Sequence, residues 1–474
     1  MYRQWISLTV LILLTADSTG LACGDSLKQA AISLARDNGQ NSSELEAQLR
    51  AAGPDGVAAM TAVRQRLVTH VASLQRPDTA GDVLQRATER LARFDAAMDR
   101  VGGARYCSRS GLYWHTDFES AQAAARKSGK PILSLRLLGN LTDEYSCANS
   151  RFFRTTLYAN EEVSRLLRDN FVLHWKSVRP VPVVTIDFGD GRKLQRTLTG
   201  NSIHYVLTSN LEVVEALPGL YGPKAFQSQL KDSLEAVRQM SEMDSQQRSE
   251  AIAQYHREKL LRLEAAWTTD LARVNRNALL SDLPPRELSL SQPVPAKGSA
   301  TPPPAAAAAR IAMPKAKLEL PVIAHVTAER QDPATLEDEK IWGAIAALHA
   351  EEAQLDLASR ALIESENPTA AQAGQLAVTK RVVESPLVRM VRSFQSAIAL
   401  DTVKNEYQLH RTIHQWLSQA DYRPGVDALN DRVYAQLFLT PRNDPWLGLA
   451  PADAYTALPN GGVTQTTATA TNAP

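Results

Sequence analysis

The apolar positions change character along the chain, and the changes divide it. From Asp25 to Val101 they recur at helical spacing: Leu27, Ile32 and Leu34, then Leu45 and Leu49, then Met60, Val63, Leu67, Val71 and Leu74, then Leu84, Leu91 and Phe94. Gly53-Pro54 and Arg76-Pro77-Asp78 interrupt the run, so several consecutive helices are expected. Between Leu112 and Leu234 the pattern switches. A helix over Phe118 to Ser128 meets a Gly129-Lys130-Pro131 turn, and a strand follows from Ile132 to Leu138. A helix after Cys147, a strand around Phe171 to Trp175, and two strands at Ile203 to Thr208 and Val213 to Leu217 come next. Strands alternating with helices and ending in a hairpin predict an α/β sandwich. A helix opening at Pro223 is expected to continue through Arg273, which makes residues 237–282 a long helical arm.

Residues 283–321 hold nine prolines and an alanine run, a composition that favours extended chain over a packed core and marks a linker. Helical spacing returns over 322–458, and the Thr/Ala-rich end, 459–474, is expected to be disordered. The fold class expected is therefore α+β: an α/β domain at 106–236, flanked by an N-terminal helical region at 23–105 and a C-terminal helical domain at 322–458.

Composition removes several functions. The 52 Lys and Arg balance 51 Asp and Glu, which gives no excess of positive charge for a nucleic acid. Three cysteines cannot make a disulfide scaffold, and past the first 20 residues no apolar run is long enough to span a bilayer. At the N-terminus, Arg3 precedes the apolar run Trp5 to Ala16, the size of a signal-peptide core, with a cleavage site after Ala22. Residues 1–22 thus predict export to the periplasm or cell envelope. Ser18-Thr19-Gly20-Leu21-Ala22-Cys23 resembles a bacterial lipoprotein box, with Gly20 where Leu is usual, and that resemblance makes Cys23 a candidate for lipidation.

The stretches Phe118-Glu119-Ser120-Ala121, Gly129-Lys130-Pro131-Ile132-Leu133, Cys147-Ala148-Asn149-Ser150 and Asn170-Phe171-Val172, in that order, resemble the thioredoxin-like family. The resemblance implies a thioredoxin-like domain with its reactive cysteine, Cys147, at the start of a helix, where unpaired N–H groups favour a thiolate. Ser150 replaces the family's second cysteine, so a dithiol cycle within the motif is excluded. Monothiol exchange with protein thiols at Cys147 remains, with Ser150 hydrogen-bonding the sulfur and another thiol completing the reaction. Cys107 is the candidate resolving thiol. The family's cis-proline loop corresponds to Ser202 and Ile203, and no proline is present there. The competing reading is a static Cys107–Cys147 disulfide, or an inert thiol on a fold kept for holding a client protein in the cell envelope.

The C-terminal helices carry polar stripes within apolar sectors. Glu406, His410 and His414, spaced four apart, fall among Leu400, Val403, Tyr407, Ile413 and Leu417. On a helix expected over Trp342 to Leu362, His349, Glu352 and Asp356 do the same. Inward imidazole and carboxylate groups on facing helices are what a divalent metal site in a helical bundle requires, although the Glu-x-x-His di-iron spacing is absent. The alternative is a satisfied polar network that fixes helix register.

Overall fold

The computed structural model describes residues 18–37, 41–76, 79–197, 201–279, 333–367 and 386–447. The expected signal core, the linker at 283–321 and the tail at 459–474 lie outside them. Four helices open the chain: α1 (Ser18–Arg36), α2 (Ser42–Ala51), α3 (Pro54–Ser73) and α4 (Gly81–Gly102). Pro54 begins α3, where its missing N–H costs nothing, and Gly103 ends α4 at a φ of 71°. Leu49, Met60, Phe94, Met98 and Val101 form their core, and Cys107, opening the short helix α5 (Cys107–Ser110), closes one side of it.

A five-stranded sheet follows, built from β1 (Trp114–His115), β2 (Ile132–Leu138), β3 (Val172–Arg179), β6 (Ile203–Leu207) and β7 (Val213–Pro218). Its order is β1-β3-β2-β6-β7. β1, β3 and β2 run parallel, while β6 and β7 pair antiparallel to complete the sheet. Every residue of β2, β6 and β7 is buried, including the polar Ser134, Arg136, His204 and Glu215 set among their apolar neighbours. Helix α6 (Phe118–Ser128) precedes β2; the Asp117 carboxylate accepts a hydrogen bond from the Ser120 N–H, and Gly129 terminates the helix at a φ of 71°. Helix α7 (Ala148–Phe152) passes through a π-turn, Phe153–Leu157, toward α8 (Glu161–Asn170). β4 (Val183–Asp187) and β5 (Lys193–Thr197) form a separate, largely exposed hairpin.

The long helix expected from Pro223 through Arg273 is two helices, α9 (Pro223–Gln239) and α10 (Ser245–Leu279). The break has a local cause: Asp244 Oδ1 accepts from the Gln247 N–H while Gln247 Oε1 accepts from the Asp244 N–H, a reciprocal cap that starts a new helix. The helix expected over Trp342 to Leu362 is also divided. α11 (Pro333–Leu348) ends before His349, a 3-10 turn spans Ala350–Ala353, and Asp356 caps α12 (Leu357–Glu366) through the Ser359 N–H. Then α13 (Pro386–Lys404) runs through a π-turn, Asn405–His410, into α14 (Arg411–Leu417), and α15 (Val426–Arg432) precedes a last π-turn, Val433–Leu437.

These helices do not stand apart from the sheet. Leu135, Tyr205 and Phe226 share one hydrophobic core with Trp267, Trp342, Ile345, Tyr407, Ile413 and Phe438. The fold is thus mixed α/β, with a small mixed sheet enclosed by helices from both sides of it in sequence. Among the described residues no helix is long and apolar enough to cross a membrane.

Candidate functional site

Two of the buried polar centres on the sheet gather residues that the sequence singles out. The first is at Cys147, which caps the N-terminus of α7 just past the end of β2. Its sulfur is 2.9 Å from Ser202 Oγ, and its S–H reaches Ser150 Oγ at 3.4 Å. The Ser150 hydroxyl has donor contacts at 2.7 Å to Ser146 Oγ and at 2.8 Å to the Cys147 carbonyl, which also ties it to the loop. Ser202 therefore faces the thiol, and Ile203 is the first residue of buried β6.

This centre is covered. Tyr434 donates to the Asn201 carbonyl at 3.0 Å, and the Asn201 amide donates to Thr440 Oγ1 at 2.8 Å, laying the last π-turn and the residues after it across the loop. Cys147, Ser150 and Ser202 are each 0% exposed. Nearby cations are engaged elsewhere: Arg154 donates to the Leu141 and Asp143 carbonyls, and burial pushes its pKa down to about 10.

Cys107 does not reach this centre. Both cysteines are free and buried, so the expected static disulfide is not formed. The reason is packing: Cys107 belongs to the N-terminal helical core, its S–H directed to the Leu112 carbonyl at 3.4 Å, whereas Cys147 belongs to the core of the sheet. Burial, then the nearby Asp99 carboxylate, pushes the Cys107 thiol far up. A resolving role for it has no support in this arrangement. Cys23 falls within the backbone of α1.

The second centre gathers Glu406, His410 and His414 from the expected stripe, and adds two residues that the sequence reading missed. Glu215 enters from β7 and His256 from α10. Glu215 Oε1 accepts from His410 Nε2 at 2.9 Å, and His410 Nδ1 donates to Glu406 Oε2 at 3.2 Å. Tyr255 donates to the second Glu215 oxygen at 2.6 Å. His414 and His256 face each other, Nδ1 to Nδ1, at 2.7 Å, and the Nε2 of each is buried with no hydrogen-bond partner. Burial alone would neutralise this group, yet the Glu215 and Glu406 carboxylates hold the His410 pKa up at about 9. Burial likewise opposes charge on Glu215, but His410 and His414 keep it well below the usual carboxylate range. Burial pushes His256 down to about 4, and burial with the neighbouring His410 holds His414 well below its usual value.

His349 and Glu352 form a different cluster. His349 Nδ1 donates to Glu352 Oε1 at 2.8 Å and its Nε2 donates to Asp270 Oδ2 at 2.7 Å, an oxygen that also accepts from Tyr407 at 2.6 Å. The expected metal set thus divides in two by its bonds, His349 with Glu352 and Asp270, Glu406 with His410, although His349, Glu352 and Glu406 line one cavity. Asp356, the third member of that stripe, caps α12 instead. The signal for Glu215 was available: it is a lone charge inside the apolar run Val213-Val214-Glu215-Ala216-Leu217.

An open cavity of about 510 Å³ lies beside α7, lined on one side by Phe152 and Arg151 and on the other by Met390, Val391 and Phe394. That volume is in the range of small-molecule sites. No family model matches the chain, and no curated protein or solved structure is significantly similar to it.

Proposed function

We propose that the chain is a thioredoxin-like, non-enzymatic binding or scaffold protein of the cell envelope, whose thiol-bearing face is closed by its own C-terminal helices. The observation that carries this reading is the complete burial of Cys147 beneath the Tyr434–Asn201–Thr440 contacts. The strand order, with three parallel strands followed by two antiparallel ones, supports the thioredoxin-like part, as does a cysteine capping the helix after β2 and facing the Ser202 loop. The apolar core at Trp5 to Ala16 after Arg3 supports export. A thiol that exchanges with proteins must meet an incoming disulfide in line, and a fully enclosed sulfur cannot. The open cavity beside α7 offers a ligand the access that Cys147 lacks.

The test is the rate at which Cys147 of the native chain reacts with a maleimide. The expected outcome is labelling no faster than global unfolding, with the rate rising steeply in denaturant. Labelling in native buffer at the rate of a free thiol would overturn the reading.

Monothiol exchange is the second reading, favoured by the 2.9 Å contact between Cys147 Sγ and the Ser202 hydroxyl. Once the cover lifts, the Cys147 thiolate would form a bond to one sulfur of a client disulfide and release the other as a thiolate. An external thiol would then complete the cycle, since Cys107 is held in another core. A client adduct that reductant removes and that Cys147→Ser abolishes would favour it.

A further inference from the structure

The second centre has a composition that hydrogen bonding alone does not explain. The oxygen of Glu215 and one nitrogen each of His410 and His414 lie within 4.8 Å of one another, and all three residues are buried. They arrive from separate parts of the fold: Glu215 from the sheet, His410 and His414 from the last two turns of a long helix. Two observations independent of that clustering point to a ligand. His414 Nε2 and His256 Nε2 are fully enclosed and have no hydrogen-bond partner. A buried nitrogen left unpaired costs about 1–3 kcal/mol, so a fold that keeps both gains something when they are engaged. The group around the candidate ligands is also built as a support. His410 is held by Glu406 on its far nitrogen, and Glu406 by the Gln229 amide at 2.8 Å; the outer oxygen of Glu215 is held by Tyr255. Carboxylate-backed imidazole is the arrangement that fixes the ring and raises its basicity as a metal ligand.

We propose that Glu215, His410 and His414 bind one divalent first-row transition ion, with His256 beside the third ligand. Two imidazoles and one carboxylate are a borderline donor set that suits Zn²⁺ and its neighbours and disfavours Ca²⁺ and Mg²⁺, which take oxygen. On binding, the bond from His410 Nε2–H to Glu215 gives way to metal coordination and the displaced proton leaves to solvent, while His410 Nδ1–H stays on Glu406. The ion would join the edge of the sheet to the C-terminal helices. This inference stands apart from the binding or scaffold reading and from the fate of Cys147.

The experiment uses the full chain stripped with a chelator, incubated with Zn²⁺, desalted, and measured for bound zinc. One ion per chain is expected. Affinity should fall about 10- to 100-fold in Glu406→Gln, which keeps all three ligands, and further in Glu215→Gln and His414→Gln. His349→Ala, in the other imidazole cluster, should bind as the parent does. Because a variant at a buried charge can fail to fold, zinc X-ray absorption on the unaltered chain supplies a second readout. Nitrogen and oxygen scatterers at about 2.0–2.2 Å are expected. No retained zinc in the folded parent, a sulfur scatterer at about 2.3 Å, or loss of the ion in His349→Ala but not in His414→Gln would each overturn the proposal.

Discussion

Cys147 and Glu215 are both fully enclosed, and the enclosure means different things. A thiol is at ease among apolar neighbours, so burying Cys147 costs little and withholds its chemistry. A carboxylate is not, and Glu215 persists only because His410, Tyr255 and the Ala216 N–H surround it. Glu215→Ala is therefore expected to lose about 3–5 kcal/mol, read as a lower urea midpoint, because it breaks a buried ion pair and leaves His410 Nε2 and the Tyr255 hydroxyl without their acceptor. Tyr434→Phe removes only the hydrogen bond to Asn201, worth about 1 kcal/mol. It should speed native labelling of Cys147 about fivefold; an unchanged rate would show that the cover does not control access. At this scale the sequence was half legible. Cys147 and Ser202, both singled out in the sequence, do lie against each other, and helical spacing found Glu406, His410 and His414. Glu215 went unread although it is a lone charge in an apolar run, and His256 escaped because α10 is polar over most of its length, so that one histidine does not stand out.

Elements were more readable than their ends. Four of the five sheet strands and the N-terminal helices follow from periodicity, while the two-residue β1 carries too little pattern to detect. The β4–β5 hairpin was missed although Gly189-Asp190-Gly191 marks its turn, and the break before α10 although Asp244 and Gln247 have capping-box spacing. The break at His349 has a measurable effect. First its bond to Glu352, then burial working against it, and then Asp270 set its pKa, with the net result a rise to about 9. A group favoured in its charged form contributes stability in full below pH 6.5, the unfolded value, and loses it as pH rises through 9. Tm is therefore expected to fall from pH 6.5 to 9, with His410, also raised to about 9, adding to the same window. His349→Gln should flatten part of that slope; Glu352 and Asp270 bond the ring, and Asp270 in turn meets Tyr407 and Arg273. The docking of the 3-10 turn is equally testable. A Cβ on Gly222 would meet the Glu352 carbonyl oxygen, so Gly222→Ala must push the turn away from α9 and should cost about 1–3 kcal/mol in denaturant unfolding.

For the whole molecule, the sequence suggested segments and could not show which of them share a core. Periodicity reports which face of a helix is apolar but not what covers it, and the partners here are hundreds of residues apart in the chain: Tyr205 bonds to Asn430, and Arg136, buried in β2, bonds to Asp427. That interleaved core makes the protein a two-piece assembly on one string. Residues 23–282 and 322–474, produced as separate polypeptides in the same cell, are expected to find each other and co-purify. Either piece alone would expose the apolar surface that the other covers and should aggregate. Co-purification would show that the shared core assembles without the covalent connection between its two contributors.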